Sequence, residues 1–271
     1  PNTFLTIPSC KLLRKNIVLL SDVLFIDNYD TTVFESVSVN TIVFGLLKHK
    51  SNNNLIKITL HENKSIKTFR LPQEGITDKI DYSFLIFADD KKGSIMGKIN
   101  SKSHIPFSAL DIRVCLGEQP YHNTIHTPEQ IQHKFLHSKV QLNGNYMKEY
   151  GGKNIIRYGI KEREDNWLDY SGELYTKPDM EFFTEPRVII REIVGENLVA
   201  TYTEKAFLVN KSCYIVISKG KDKNFLKYLL GVLNSSLVGF FVQNLGDKSK
   251  QKLFPRITMG TLKKIPIPCV E

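Results

Sequence analysis

The 271-residue chain has only four cysteines, Cys10, Cys115, Cys213 and Cys269, and no two form a CxxC pair. That argues against a disulfide framework or a cysteine zinc site and suits a reducing cytoplasm. No apolar run approaches the ~18 residues needed to span a bilayer. The most apolar stretches, 226–233 and 237–245, are interrupted by Gly231, Asn234, Gly239 and Gln243. There is no signal peptide, and the chain opens on Pro1 rather than Met, as a processed or excised segment would. No GxxxxGK[ST] or GxGxxG loop is present to cradle phosphates, and no GxSxG to present a serine nucleophile.

What is present suits a core-forming globular chain. Hydrophobic residues make up 41% and charged residues 24%, which excludes collagen and a largely disordered chain. There are 37 Lys and Arg against 28 Asp and Glu, a net charge of +9. The excess is uneven, since residues 187–271 hold 14 Lys and Arg against 6 Asp and Glu and so carry +8 of it. A basic region favours a polyanion such as nucleic acid. The plainer alternative is a well-solvated, lysine-rich surface.

Periodicity predicts a helix over 9–20 with Ser9 as N-cap and Leu12, Leu13, Ile17 and Leu20 on its apolar face. The residues 23–27 read as a short strand. The β-branched run 39–47 reads as a strand buried on both faces. In 55–60, Lys57 and Thr59 alternate with apolar residues, predicting a strand wet on one side. Residues 61–105 are polar and read as a connector. Thr127-Pro128-Glu129-Gln130 is a helix start with a capping box. Strands are expected over 188–193, 198–202 and 213–218, helices over 224–233 and 236–245 with a turn at Asn234-Ser235, and a short helix over 260–264.

Two clusters raise metal chemistry. His122/His126 and His133/His137 have HxxxH spacing, but Pro128 separates the pairs and no HExxH glutamate follows His133. A helix surface is the better reading. Glu62-Asn63-Lys64 has the ExK form of a metal-dependent nuclease, with Asp27 or Asp30 upstream, yet nothing around it reads as a nuclease core. Aromatic and basic residues interleave over 145–158 and 248–256, where Lys and Arg could meet phosphates. Each could equally be a solvated loop.

Four stretches, in order, resemble the end of an adenine-specific DNA methyltransferase of restriction–modification systems, with its TaqI-like C-terminal specificity domain. Val33-Phe34-Glu35-Ser36-Val37-Ser38-Val39-Asn40-Thr41-Ile42-Val43-Phe44 resembles the strand that closes that family's catalytic sheet. Gly152-Lys153-Asn154-Ile155-Ile156-Arg157-Tyr158, followed by Trp167-Leu168-Asp169-Tyr170, resembles the signature opening the specificity region. Glu185-Pro186-Arg187-Val188-Ile189-Ile190-Arg191 resembles a strand of that region. Leu229 to Ser235, then Phe254-Pro255-Arg256-Ile257 and Leu262 to Pro268, resembles its close. The Gly-rich S-adenosylmethionine loop and the Asn-Pro-Pro-Tyr-type motif of the family are missing. The resemblance therefore implies the C-terminal part of a longer enzyme that uses S-adenosylmethionine, with no cofactor and no catalytic residue in this chain.

The implied fold is α+β. Residues 1–70 would be the remnant of the catalytic domain, the end of an α/β sheet, and 71–271 a target-recognition domain of mixed β-sheet with C-terminal helices. The implied function is sequence-specific binding of double-stranded DNA. The alternative is a specificity subunit docking on a separate methyltransferase. The DNA-facing candidates are Lys153, Asn154, Arg157, Tyr158, Arg187, Arg191, Lys248, Lys250, Lys252 and Arg256. Trp167 reads as core or lid, and Asn234-Ser235 as a structural turn rather than a base reader. The expected partners are DNA and the missing N-terminal catalytic half, with no membrane. Apolar surface left by a torn sheet would let the chain pair with itself.

Overall fold

The computed structural model describes residues 2–5, 7–29, 33–34, 41–62, 65–76, 82–84, 86, 95, 98–99, 104–244 and 256–269. They fall into two compact units, one within Pro1–Lys102 and one comprising Ser103–Val242 with the C-terminal residues from Arg256. The fold is α+β.

In the first unit α1 (Lys11–Leu20) leads into β1 (Asp22–Tyr29), followed by β2 (Thr41–Leu47), β3 (Leu55–Glu62) and β4 (Ser65–Pro72). The sheet order is β2-β1-β3-β4. β1 and β3 run parallel and the other pairs antiparallel. The alternation expected in β3 holds in part: Ile56, Ile58 and Leu60 are buried and Lys57 is exposed, but Thr59, expected on the wet side, is buried too. The three apolar residues join Val23 and Ile26 against Leu5 and Val18 in the unit's core. Gln73, which opens the short helix α2 (Gln73–Ile76), ties the sheet to α1. Its amide nitrogen donates to the carbonyls of Val18 and Ser21, and its oxygen accepts from the Val23 N–H.

Three expectations for this unit are overturned. Residues 61–105 were expected to be a connector with some short structure, but 65–72 form the sheet strand β4. The run ending at Leu47 was expected to be buried on both faces, but β2 is an edge strand with Val43, Phe44, Leu46 and Leu47 exposed. The helix starts at Lys11, with Cys10 rather than Ser9 at its N-cap and no side-chain cap. It is also turned the other way: Leu12, Leu13, Leu19 and Leu20 are exposed, while Arg14 is fully buried. Arg14 sets that orientation, because its guanidinium donates to the carbonyls of Phe4, Ile7 and Tyr82 at 2.7–3.1 Å. A cation taken out of water needs such partners, and apolar periodicity does not register them.

The second unit runs β5 (His104–Pro106), β6 (Ile112–Leu116), α3 (Pro128–His133), β7 (His137–Ser138), β8 (Tyr146–Tyr150), β9 (Ile155–Ile156), β10 (Gly159–Ile160), β11 (Trp167–Asp169), α4 (Glu181–Thr184), β12 (Arg187–Arg191), β13 (Ala200–Thr203), β14 (Leu208–Val209), β15 (Cys213–Ser218), α5 (Lys223–Leu233), α6 (Ser236–Asn244), α7 (Met259–Lys263) and β16 (Pro266–Pro268). An antiparallel sheet of order β13-β12-β15-β6 forms its centre, and a second sheet has order β14-β8-β11-β7. Between them lies a core of Ile189, Ile215 and Ile217 from the first, Tyr150, Leu168, Leu208 and Val209 from the second, and Phe182, Phe183 and Phe207. Alternation turns Val188, Ile190 and Val216 to the opposite face, where α5 packs with Leu226, Leu229 and Leu233 buried.

The expected capping box holds: Thr127 accepts from the Gln130 N–H, Gln130 returns the bond, and Pro128 opens α3. That helix ends at His133, and Lys134 turns left-handed. His133 and His137 therefore do not share a helix, correcting the expected surface pair. Asp222 caps α5 by accepting from the N–H groups of Asn224 and Phe225. α5 and α6 bend by 60° at Asn234-Ser235, and no single described helix is long and apolar enough to cross a membrane.

Asn234 at that bend is fully buried. Its side-chain oxygen accepts from the Ala200 N–H at 2.9 Å and its nitrogen donates to the Ala200 carbonyl at 3.0 Å. Asn234→Ala would leave the Ala200 N–H buried and unpaired and its carbonyl with the Tyr158 N–H as its remaining partner. It is expected to lower unfolding free energy by ~2–4 kcal/mol, read by urea denaturation; a loss below ~0.5 kcal/mol would show that the bend does not rest on this pair.

Candidate functional site

The residues expected to face DNA divide into scaffold and surface. Arg187 is scaffold. It is fully buried and donates to the carbonyls of Glu185, Lys205 and Phe207, with its guanidinium 4.6 Å from the Phe207 ring centre. Burial lowers its pKa to about 10, which leaves it a cation at neutral pH but one that no phosphate can reach. Its assignment to DNA is corrected on that ground. Asn154 is scaffold too. Its side-chain oxygen accepts from the Gly151 N–H and its nitrogen donates to the Lys161 carbonyl, while the Lys161 N–H returns to the Asn154 carbonyl. With a bond at each end of its amide, it clamps the base of the β9–β10 hairpin.

Above that clamp the hairpin rises from Ile155, which is fully buried, to a tip at Arg157 and Tyr158. Tyr158 is left-handed at φ 64° and 56% exposed. That conformation costs a non-glycine residue ~1 kcal/mol or more. Its N–H donates to the Ala200 carbonyl at 3.0 Å. Arg157 donates to the Asn234 carbonyl at 2.8 Å, and its guanidinium stands 5.4 Å from the Tyr158 ring centre.

Beside the hairpin the turn Gly151–Lys153 is tied to the turn Asn210–Ser212. The Gly152 N–H donates to Ser212 Oγ at 2.7 Å, and Asn210 Oδ1 accepts from both the N–H and the hydroxyl of Ser212. The approach is close: a Cβ on Gly152 would lie 3.2 Å from Ser212 Oγ and 3.4 Å from Arg191 Cγ, so those side chains would have to give slightly. Arg191, at the end of β12, is half-buried, and its Nε is enclosed without a hydrogen-bond partner. Lys153 and Lys211 are exposed. Among the described residues none of these three cations is paired with a carboxylate. Several cations elsewhere on this unit are paired: Arg113 with Asp179 and Glu181, Lys148 with Glu164, Lys221 with Glu185, and Lys223 with Glu204. Arg256 is exposed and lies 3.6 Å from Glu192. Lys248, Lys250 and Lys252 lie outside the described residues, as does Lys64 of the ExK triplet. Trp167 sits in β11, half-buried, donating to the Glu164 carbonyl at 3.2 Å.

The sequence reading missed Lys211. Its signal was the Asn-Lys-Ser turn between two strands, whose Asn side chain organises the loop. The loop is held from below by the chain at 117–118, which runs so close to β14 that a Cβ on Gly117 would lie 2.1 Å from the Val209 carbonyl oxygen. The Lys211 N–H donates to the Glu118 carbonyl at 2.8 Å.

Glu118 itself carries a buried carboxyl beside that of Glu149. Burial first, and the neighbouring Glu149 charge second, push Glu118 up to about 10. Burial also acts to raise Glu149, but the hydrogen bonds from His137, at 3.0 Å, and Asn166 outweigh it and hold Glu149 below its ordinary value. The Tyr121 hydroxyl accepts from the Leu136 N–H and bonds His137 Nδ1 at 2.7 Å, which directs His137 Nε2 at Glu149. Among the described residues no group of three or more His, Cys, Asp or Glu could hold a metal ion.

The folded chain keeps the Glu118 proton up to about pH 10, and the unfolded chain releases it near 4.5. Glu118 therefore subtracts stability progressively as pH rises through that window. Glu118→Gln is expected to raise stability at pH 8 by up to ~3 kcal/mol and to converge with the native chain below pH 4.5. Chemical denaturation across pH checks this, and parallel curves would refute the buried, protonated state.

Comparison with known proteins matches residues 147–267 to the TaqI-like C-terminal specificity domain. Over 137 residues the chain is 27% identical to a putative type II restriction enzyme and methyltransferase of Methanocaldococcus jannaschii, RM.MjaORFECS2P, covering 49% of this chain and 12% of that protein. It superposes over 97% of its length on 37% of the type IIL restriction-modification enzyme MmeI, solved in complex with DNA, with TM-score 0.54 and 11% identity. It also aligns with 39% of the type IIG restriction endonuclease BpuSI, with TM-score 0.45 and 11% identity. The chain thus spans a small part of the curated relative and little more than a third of each of these solved structures.

Proposed function

Because residues 147–267 form a TaqI-like C-terminal specificity domain, we propose that this chain is the DNA-reading part of a restriction–modification enzyme, one whose modification activity is adenine-specific methylation. The observation that carries the reading is the set Lys153, Arg191 and Lys211. Three cations without carboxylate partners are brought beside a protruding hairpin by the Gly152–Ser212 bond. Such cations exchange counterions for phosphates, and the hairpin tip supplies groups for base contact. An enzyme that modifies a base extrudes it from the duplex, at a cost of a few kcal/mol. Contacts from a separate basic module offset that cost.

In this reading the first unit, residues 1–70 with the end of β4 and α2 that pack with them, belongs to the end of the catalytic sheet, and the second unit to target recognition. The exposed Leu12, Leu13, Leu19 and Leu20 on α1 support a first unit that meets further protein, either the rest of a catalytic domain or a second copy of this chain. S-adenosylmethionine belongs to the longer enzyme. The described residues do not fit it: the parallel pair of the first sheet, β1 and β3, is joined by no glycine-rich turn onto a helix N-terminus. The four free cysteines agree with a cytoplasmic setting.

Fluorescence anisotropy with labelled duplex over a salt series tests the interface. Lys153→Ala and Lys211→Ala together are expected to weaken binding several-fold for every sequence. They should also flatten the slope of log affinity against log salt by about 1 per cation removed. Arg187→Met should destabilise the fold and leave that slope unchanged. A double variant with the native slope would move the DNA face elsewhere.

A further inference from the structure

The β9–β10 tip holds an aromatic ring in a position that sequence economy does not favour. The turn needs a left-handed residue, and glycine or asparagine would adopt that conformation with little strain. Gly159 stands one position later, yet the left-handed site is occupied by Tyr158, with its ring mostly in solvent. The ring contributes little to burial, so the strain at its backbone is not offset by packing.

The tip is also held more firmly than an exposed loop requires. The Tyr158 N–H is fixed to the Ala200 carbonyl, the Arg157 guanidinium to the Asn234 carbonyl, and the hairpin base to the Asn154–Lys161 clamp, with Ile155 anchored in the interior. Ile156 beside it is 48% exposed. The result is an exposed aromatic ring on a backbone-anchored tip, with a guanidinium near it and an aliphatic neighbour, carried next to Lys153, Arg191 and Lys211.

We propose that Tyr158 stacks on a base of the bound duplex, acting as a wedge at one base step rather than as a hydrogen-bonding reader of a groove. The proposal rests on the DNA-binding reading above and adds which residue distorts the DNA. A tyrosine ring offers a flat face to any base, and a nearby guanidinium adds favourable electrostatics. A tip whose backbone is already held in place loses little backbone freedom on binding. Insertion beside a weak step opens the stack, as apolar wedges do in bent complexes. Arg157 acts here as a positioning residue, holding the tip to the helical bend.

The test uses the whole 271-residue chain and duplexes selected for binding from a random pool. Each purine of the selected site is replaced in turn by 2-aminopurine or 6-methylisoxanthopterin, whose emission rises on unstacking. The native chain should raise emission several-fold at one step. Tyr158→Phe should retain that rise. Tyr158→Asn, which suits a left-handed backbone, should melt at or above the native temperature, lose the rise and bind about tenfold more weakly, with an unchanged salt slope. A Tyr158→Asn chain that keeps the rise, or binds within twofold of native, overturns the wedge and leaves the ring as a contact for something other than DNA. A native chain that binds but raises emission nowhere also overturns it. A native chain that neither binds nor enriches a site fails at the earlier step and overturns the DNA-binding reading itself.

Discussion

Two separate segments meet on the backbone N–H and carbonyl of one strand residue, Ala200. The Asn234 amide bonds both its N–H and its carbonyl, and the Tyr158 N–H shares the carbonyl. The helical bend is thereby fixed to the edge of the central sheet and the hairpin to both. Asn234 extends the arrangement outward, since its own carbonyl receives Arg157. A buried amide that satisfies both backbone groups of a facing residue is stringent about geometry, because any slip leaves polar atoms unpaired in a dry interior. The position of the hairpin tip follows from that constraint, and so does the place where cations gather beside it.

Rigidity at such a tip matters because affinity and specificity draw on different contacts. Lysines on flexible stems meet phosphates wherever the backbone lies and carry little sequence information. A site that discriminates needs groups whose position is fixed before DNA arrives. The second unit supplies both kinds: Lys153 and Lys211 are exposed on turns, whereas Arg157 and Tyr158 are tied to the sheet and the bend. The Glu118–Glu149 pair serves the same end from below. The segment carrying Glu118 holds the Lys211 turn, and it places a protonated carboxyl where a less demanding residue would give more stability.

The second unit was largely legible in the sequence, and the first was not. The strands over 188–193 and 213–218, the two helices and the turn between them, and the capping box at Thr127 each have local signals of alternation, periodicity or cap chemistry. The first unit fails where a single polar residue outweighs a pattern. Arg14 turns α1 by claiming three carbonyls, and four leucines consequently face outward. The fate of β2 was hidden for another reason: sheet order decides whether a β-branched strand is central or at an edge, and order is a long-range property. The signatures of 152–158 and 185–191 were found, but the roles within them were not. Gly152, Asn154, Ile155 and Arg187 shape the scaffold, and the outward residues between them are left to meet a ligand.

Arg187 and Arg14 together show why a net charge of +9 is a poor measure of a binding face. Both guanidiniums are fully buried and donate to backbone carbonyls. Each adds a full charge to the composition and little to the field at the surface. Lys205, Lys219, Lys221 and Lys223 are exposed, but each lies within 3.3 Å of a carboxylate oxygen, so at a distance their fields largely cancel. Four of the cations that make residues 187–271 basic are therefore neutralised locally and a fifth is enclosed. What remains for a polyanion is set by the absence of acidic neighbours at a few positions. Lys153, outside the most basic third of the chain, belongs to that group as fully as Lys211 within it.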